Sequence, residues 1–284
     1  MTKGEVPMAK TKVFKTEESR DAIRFRYNQI LNTFPFDRRY VETSFGRTFV
    51  MEGGKPDDPP LVLLHGSCSN SAFWYGEMSA LSQMHHVLAV DIVGEAGNSE
   101  ENRLDVTSEE YADWLKQVFD ACGIKKAVVM GNSLGSWMAL RFACKYAECV
   151  SKMILMAPSG LSGQNIALLE KAKQSSLQDE ALKIDDTIMQ GAKLPKEVED
   201  FINLIASGYN PITDELPVIS DEQIKSLAMP ILFIAGKKDN MVDAVSAAQR
   251  LSQLIPDAKI HLEDSGHIIL NSLDFAIPFL AAGE

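Results

Sequence analysis

The chain has 284 residues, 45% of them hydrophobic and 24% charged, a balance that fits a water-soluble globular fold. A formal net charge of −11 argues against a nucleic-acid or anionic-membrane surface, and no apolar run is long enough to span a bilayer. The four cysteines, Cys68, Cys122, Cys144 and Cys149, show no paired spacing and no clustering with histidine. Reduced thiols in a cytoplasmic protein are expected, with no metal site and no cofactor.

MTKGEVPMAKTKVFK is polar and basic, lacks the apolar core of a secretory leader, and reads as a loose tail. Thr16 then caps a helix whose first turn carries Glu17 and Glu18, where carboxylates favour the positive end of the dipole. Ile23, Tyr27, Ile30, Leu31 and Phe34 share one face of it, so residues 1–37 form a tail and an amphipathic helix. RRYVETSFGRTFVMEGG predicts two short strands around Gly46.

After DDPP the pattern changes. LVLLHG (61–66), VLAVDIVG (87–94), AVVMGNS (127–133), MILMAPS (153–159) and ILFIAG (231–236) are apolar runs without alternation, as in strands buried on both faces of a parallel sheet. SAFWYGEMSALS, SEEYADWLKQVFDACG and SWMALRFACKYAE read as helices between them. The fold class is therefore α/β, a mostly parallel central sheet flanked by helices. Residues 159–227 interrupt the alternation with polar, helix-like pieces such as NIALLEKAKQSSLQDEALK and PKEVEDFINLIAS. This predicts a helical cap inserted into a core made of 38–158 and 228–284, placed to cover the carboxyl ends of the strands.

GNSLG (131–135) sits where one of these strands turns directly into a helix. Gly-x-Ser-x-Gly is a weak signal by itself; in this position it is where a nucleophile elbow belongs. Small residues at 131 and 135 let strand and helix approach, and the helix N-terminus points amide dipoles at developing negative charge. A serine hydroxyl needs a base, and the base needs an orienting acid.

Among five histidines, His85 and His86 lie at the wrong end of a strand, His261 lies inside one, and His65 ends one and shapes a loop. His267 remains, on a loop after the last strand, with Ser265 and Gly266 free to aim it. Asp239, just past ILFIAG, is the expected acid. Asp243 more naturally starts the next helix, and Asp264 is too close in sequence to reach the far nitrogen. The backbone amides of Leu134 and Ser67 are the candidate oxyanion donors. The Ser67 hydroxyl either adds a further hydrogen bond or merely lines the pocket. Phe73, Trp74 and Tyr75 either line the pocket mouth or pack in the core.

HGS at 65–67, DIVGEAGNS at 91–99, GNSLG, GKKD at 236–239 and GH at 266–267, in this order and spacing, resemble the α/β-hydrolase superfamily in its serine-nucleophile, carboxylesterase-like branch. The resemblance covers residue 38 to the end. Ser133, Asp239, His267 is that family's nucleophile–acid–base order, and the family's other place for the acid, after MILMAPSG, holds no carboxylate. One departure is visible: many relatives read D-x-x-G-x-G-x-S where this chain has Glu95-Ala96-Gly97-Asn98-Ser99, which bears on pocket shape.

The resemblance implies cleavage of a small, fairly apolar ester, thioester or lactone through an acyl-enzyme on Ser133. A serine nucleophile argues against the epoxide hydrolases and haloalkane dehalogenases of this fold. Two alternatives stay open. One is a carbon–carbon bond hydrolase, disfavoured by Cys68-Ser69-Asn70 after HGS and by the absence of arginine between Ser159 and Leu227. The other is a ligand sensor with little turnover.

Overall fold

The computed structural model describes residues 12–177 and 193–282. Within them one sheet of eight strands runs in the order β1-β2-β4-β3-β5-β6-β7-β8. β1 (Asp37–Thr43) and β2 (Gly46–Gly53) form the expected hairpin, and β2 joins β4 (His86–Val90) antiparallel. From there β4, β3 (Pro60–Leu64), β5 (Ala127–Asn132), β6 (Val150–Met156), β7 (Ile231–Gly236) and β8 (Lys259–Glu263) are parallel.

The unalternating runs make sense in this frame, because both faces of the central strands are covered. Val62 and Leu64 of β3 and Val129 of β5 belong to one core with Trp114 and Phe119 of α3 (Glu110–Ala121) and Phe142 of α4 (Leu134–Lys145). Leu61, Leu63, Val128 and Met130 face the opposite core with Met78 of α2 (Tyr75–Leu81), Ile23 and Tyr27 of α1 (Glu17–Leu31). Each such side chain contributes roughly 1.5–3 kcal/mol of transfer free energy. The run VLAVDIVG overshoots its strand, which stops at Val90. Asp91 is buried and turns inward, accepting from the Ser71 amide at 2.8 Å, the Asn98 amide at 2.7 Å and the Tyr27 hydroxyl at 2.9 Å.

Thr16 caps α1 through a capping box with Ser19. The stretch before it departs from the expected loose tail. Val13 and Phe14 are buried, the Lys15 amide donates to Gly208 O and the Asn210 amide to Val13 O, both at 2.9 Å. Two apolar residues among lysines carry no periodicity, and a partner of one bridged residue, Tyr209, leaves no strand-like pattern. The remainder of that tail, 1–11, lies outside the described residues.

Between β6 and β7 the described residues carry α5 (Ile166–Leu177), α6 (Lys196–Gly208) and α7 (Asp221–Lys225), and no named strand. The last six residues of NIALLEKAKQSSLQDEALK, 178–183, fall outside the described residues. Phe201 of α6 stacks on Phe73 at 5.7 Å and on Tyr27 at 6.3 Å, so Phe73 meets the insertion while Trp74 is buried. The chain leaves the sheet and returns at one place: the Ile219 amide donates to Gly160 O at 2.9 Å. Arg250, on α8 (Ala244–Leu254), donates to Leu161 O at 2.9 Å and Ile219 O at 2.7 Å, tying both ends to the core. The last helix, α9 (Ser272–Ala281), follows β8.

Candidate active site

Ser133 stands between the end of β5 and the start of α4 with φ 50° and ψ −108°. A non-glycine residue held there stores on the order of 1–3 kcal/mol and persists only when its surroundings over-determine it. They do. The Ser133 amide donates to Met156 O at 2.8 Å, and its carbonyl accepts from the Trp137 amide at 3.1 Å. The Ser136 hydroxyl donates to Gly131 O at 2.7 Å and accepts from the Met156 amide at 3.0 Å, pinning the first helical turn across β5 and β6. A Cβ on Gly131 would lie 2.4 Å from the Gly135 carbonyl, and one on Gly135 only 2.0 Å from Leu64 O. Only glycine fits at either position.

His267 lies on the loop after β8, and its Nε2 is 3.0 Å from Ser133 Oγ. Its Nδ1 is 2.7 Å from Oδ2 of Asp239, on the loop after β7. The Asp239 side chain is fully buried, and its Oδ1 accepts from the amides of Met241 at 2.8 Å and Val242 at 3.2 Å. An ionised carboxylate only accepts, so the proton sits on Nδ1 and the Nε2 lone pair faces the serine hydroxyl. Three loops at the carboxyl ends of β5, β7 and β8 thus bring together the three residues singled out in the sequence.

The competitors are occupied elsewhere. Asp243 caps α8 at the Ser246 amide, 3.0 Å, and Asp264 pairs with Lys238 at 3.0 Å. His261 stacks on Phe275 at 3.6 Å, and His85 Nδ1 is 3.1 Å from Pro59 O.

Leu134 is the first residue of α4, so its amide has no acceptor within the helix. Ser67 follows Gly66, on which a Cβ would lie 3.6 Å from Ser133 Cβ. Leu64 pairs with Gly131 across β3 and β5. Both expected donors therefore belong to segments that abut Ser133. His65 shapes the approach: its Nε2 accepts from the Ile92 amide at 2.9 Å, leaving Nδ1–H to donate to Gly66 O at 2.8 Å. Burial pushes the His65 imidazole down, which suits a neutral linker between two loops.

Three supporting residues carry no sequence signal of their own. Ser136 is an ordinary helical serine until its bonds to β5 and β6 are seen. Gly236 ends β7, where a Cβ would lie 2.1 Å from Gly266 O, next to His267. Glu95 is 1% exposed, and burial raises its carboxyl to about 7 against the opposing pull of Arg103. Its only hint is that it sits where the chain departs from the usual loop.

Residues 59–218 match the family described as the alpha/beta hydrolase fold. The chain belongs to that family. This alpha/beta hydrolase is 30% identical to the uncharacterized carboxylesterase nap of Bacillus subtilis over 270 residues, 89% of each chain. Its structure is similar to that of carboxylesterase CesB (YbfK) from Bacillus subtilis, with a TM-score of 0.78 and 26% identity, covering 94% of this chain and 100% of the other. Naproxen esterase (carboxylesterase NP) from the same organism gives a TM-score of 0.77 at 27% identity, covering 94% and 97%.

Proposed function

We propose that the chain is a carboxylesterase-type serine hydrolase, cleaving a small, fairly apolar carboxylic ester, thioester or lactone through an acyl-enzyme on Ser133. The observation that carries this reading is the continuous hydrogen-bonded path from Ser133 Oγ through His267 to Asp239, at 3.0 Å and 2.7 Å. The esterase names of its relatives over nearly the whole chain point the same way.

In this reading Ser133 Oγ attacks the ester carbonyl while its proton moves to His267 Nε2. Asp239 holds the Nδ1–H and offsets the imidazolium charge. The amides of Leu134 and Ser67 receive the negative oxygen of the tetrahedral intermediate; one such donor is typically worth roughly a hundred- to a thousand-fold in turnover. Collapse breaks the ester C–O bond, and the imidazolium gives its proton to the departing alcohol. Water, deprotonated by the same imidazole, then attacks the acyl-enzyme and releases the acid with Ser133 restored.

Residues 159–227 act as the cap over the substrate, with no nucleic acid, membrane or cofactor involved. The four cysteines are unpaired thiols, which suits a cytoplasmic setting. Among the described residues no helix is long and apolar enough to cross a membrane.

The test is labelling with a small fluorophosphonate, read by peptide mass, with Ser133→Ala as control, followed by a panel of p-nitrophenyl esters of increasing acyl length. Adducts confined to Ser133, with turnover of the short esters, support the reading. A folded protein that neither labels nor turns over any ester overturns it in favour of a ligand sensor.

A further inference from the structure

The loop that carries Ser67 rests on a buried acid. Cys68 adopts φ 57°, a left-handed conformation costly for a side chain with a Cβ, so something beyond its own preference holds it. The Glu95 carboxylate faces the backbone amide of Cys68, the hydroxyl of Ser67 and the hydroxyl of Tyr209. Neither of its oxygens has a hydrogen-bond partner of full geometry, and Arg103 Nε and Tyr111 Oη beside it are unpaired as well. Arg103 is anchored by bonds to Asn210 O at 2.6 Å, Gly94 O at 3.2 Å and Tyr209 Oη at 3.3 Å. A carboxylate this deep, with its donors standing slightly off, is an expensive way to fill space, because a well-packed apolar side chain is generally no less stable there.

We propose that Glu95 is a positioning residue: its ionised carboxylate, steadied by Arg103, draws the Cys68 amide and the Ser67 hydroxyl and so aims the Ser67 amide at the developing oxyanion. The inference rests on the serine-hydrolase reading above. It gives the Ser67 hydroxyl a role as a handle for the loop. The groups around the carboxylate are Arg103 on the stretch after β4, Tyr209 at the end of α6, Tyr111 on α3 and the Cys68 thiol on the loop after β3. Burial raises the Cys68 thiol to about 12, leaving Glu95 and Arg103 as the charged pair. Because burial also raises Glu95 to about 7, its ionisation falls inside the range where esterase assays are run. Oxyanion alignment matters in the transition state and little for the bound ester, so kcat carries the effect and KM does not.

The experiment measures kcat and KM for p-nitrophenyl butyrate across pH 5.5–9 in the wild type, Glu95→Gln and Glu95→Asp, together with the infrared carbonyl band of protonated carboxyls. Wild-type kcat is expected to rise in a step whose midpoint coincides with loss of a carboxyl band that Glu95→Gln lacks. Glu95→Gln loses the part of the step that tracks the band, keeping only the limb set by the His267 base, and falls about ten- to a hundredfold in kcat at pH 8 with KM little changed. Glu95→Asp, which can ionise, regains a step. A Glu95→Gln enzyme with wild-type kcat and an unchanged pH step overturns the proposal, as does a rise in KM alone. If Glu95→Gln does not fold, the wild type decides: coincident kinetic and infrared midpoints support the role, and separated ones refute it. Fluorophosphonate labelling of the same wild-type preparation separates the two failures. Labelling and turnover that ignore Glu95 overturn only this inference, whereas neither labelling nor turnover overturns the hydrolase reading with it.

Discussion

Replacing Asp239 by Asn changes one atom, and the surroundings decide which way the amide points. The Met241 and Val242 amides donate to Oδ1, while Oδ2 takes the imidazole proton. If the Asn carbonyl turned toward His267, its NH2 would face two backbone N–H groups and orphan both, at about 1–3 kcal/mol each. The single bond regained to the imidazole returns only about 0.5–1.5 kcal/mol. The carbonyl therefore stays on the two amides, and the NH2 faces Nδ1. His267 is then driven to the tautomer with its proton on Nε2, where it cannot accept from Ser133. Inverting the tautomer at such a site costs on the order of ten-thousand-fold in turnover, equivalent to about 5.5 kcal/mol of transition-state stabilisation. The assay is steady-state hydrolysis of p-nitrophenyl butyrate by Asp239→Asn beside the wild type, with circular dichroism to establish the fold. A folded variant that loses less than about tenfold in kcat would refute the tautomer argument, and with it the role of Asp239.

The two glycine environments make a matched pair in thermal denaturation. Gly135→Ala drives a Cβ to 2.0 Å from Leu64 O and should cost about 3 kcal/mol or more. Gly76→Ala, in α2 with nothing within 4 Å, should raise Tm by the equivalent of about 0.5–1 kcal/mol. Glu95 links stability to pH. Its folded carboxyl, about 7, lies above the ordinary 4.5, so the stability of the buried neutral acid is present below about 4.5 and lost as pH rises through about 7. Tm of Glu95→Gln relative to wild type should accordingly climb from pH 5 to pH 8, and a constant difference would contradict the burial argument. Arg250→Ala strips the donors from Leu161 O and Ile219 O, and should speed proteolytic nicking within 159–227 ahead of the rest of the chain.

The parallel strands were legible because burial on both faces writes itself as unbroken apolar runs, and ILFIAG marks β7 from first residue to last. Ser133, Asp239 and His267 were legible because each stands at a strand's carboxyl end in a setting few other residues share. What stayed hidden depends on pairs that only the folded chain brings together. Phe14 packs on Tyr209 and Val13 O accepts from the Asn210 amide, almost two hundred residues away, and neither partner advertises the other. Asp91 lengthened a predicted strand because its inward turn is set by donors from α1 and two loops. Glu95 looked like a loop variation, and its burial beside Ser67 and Arg103 follows from how β3 and β4 lie side by side. Gly236 and Ser136 serve the site through clearance and backbone bonds, which no residue type announces.

The bond between Ile219 and Gly160 makes the insertion a closed side-excursion from the sheet, rather than a link in its connectivity. Closing such an excursion costs entropy that grows only logarithmically with its length, about 0.6 kcal/mol for each doubling. Ser133, Asp239 and His267, with Leu134 and Ser67, all lie outside it. The excursion also meets the rest of the fold through Phe201 on Phe73 and through Tyr209 and Asn210 on Arg103, yet it contributes none of the three residues of the hydrogen-bonded path. A segment of quite different length exchanged within 160–200, with Tyr209 and Asn210 left in place on Arg103, is expected to keep the same serine, imidazole and carboxylate while presenting them with a differently shaped room.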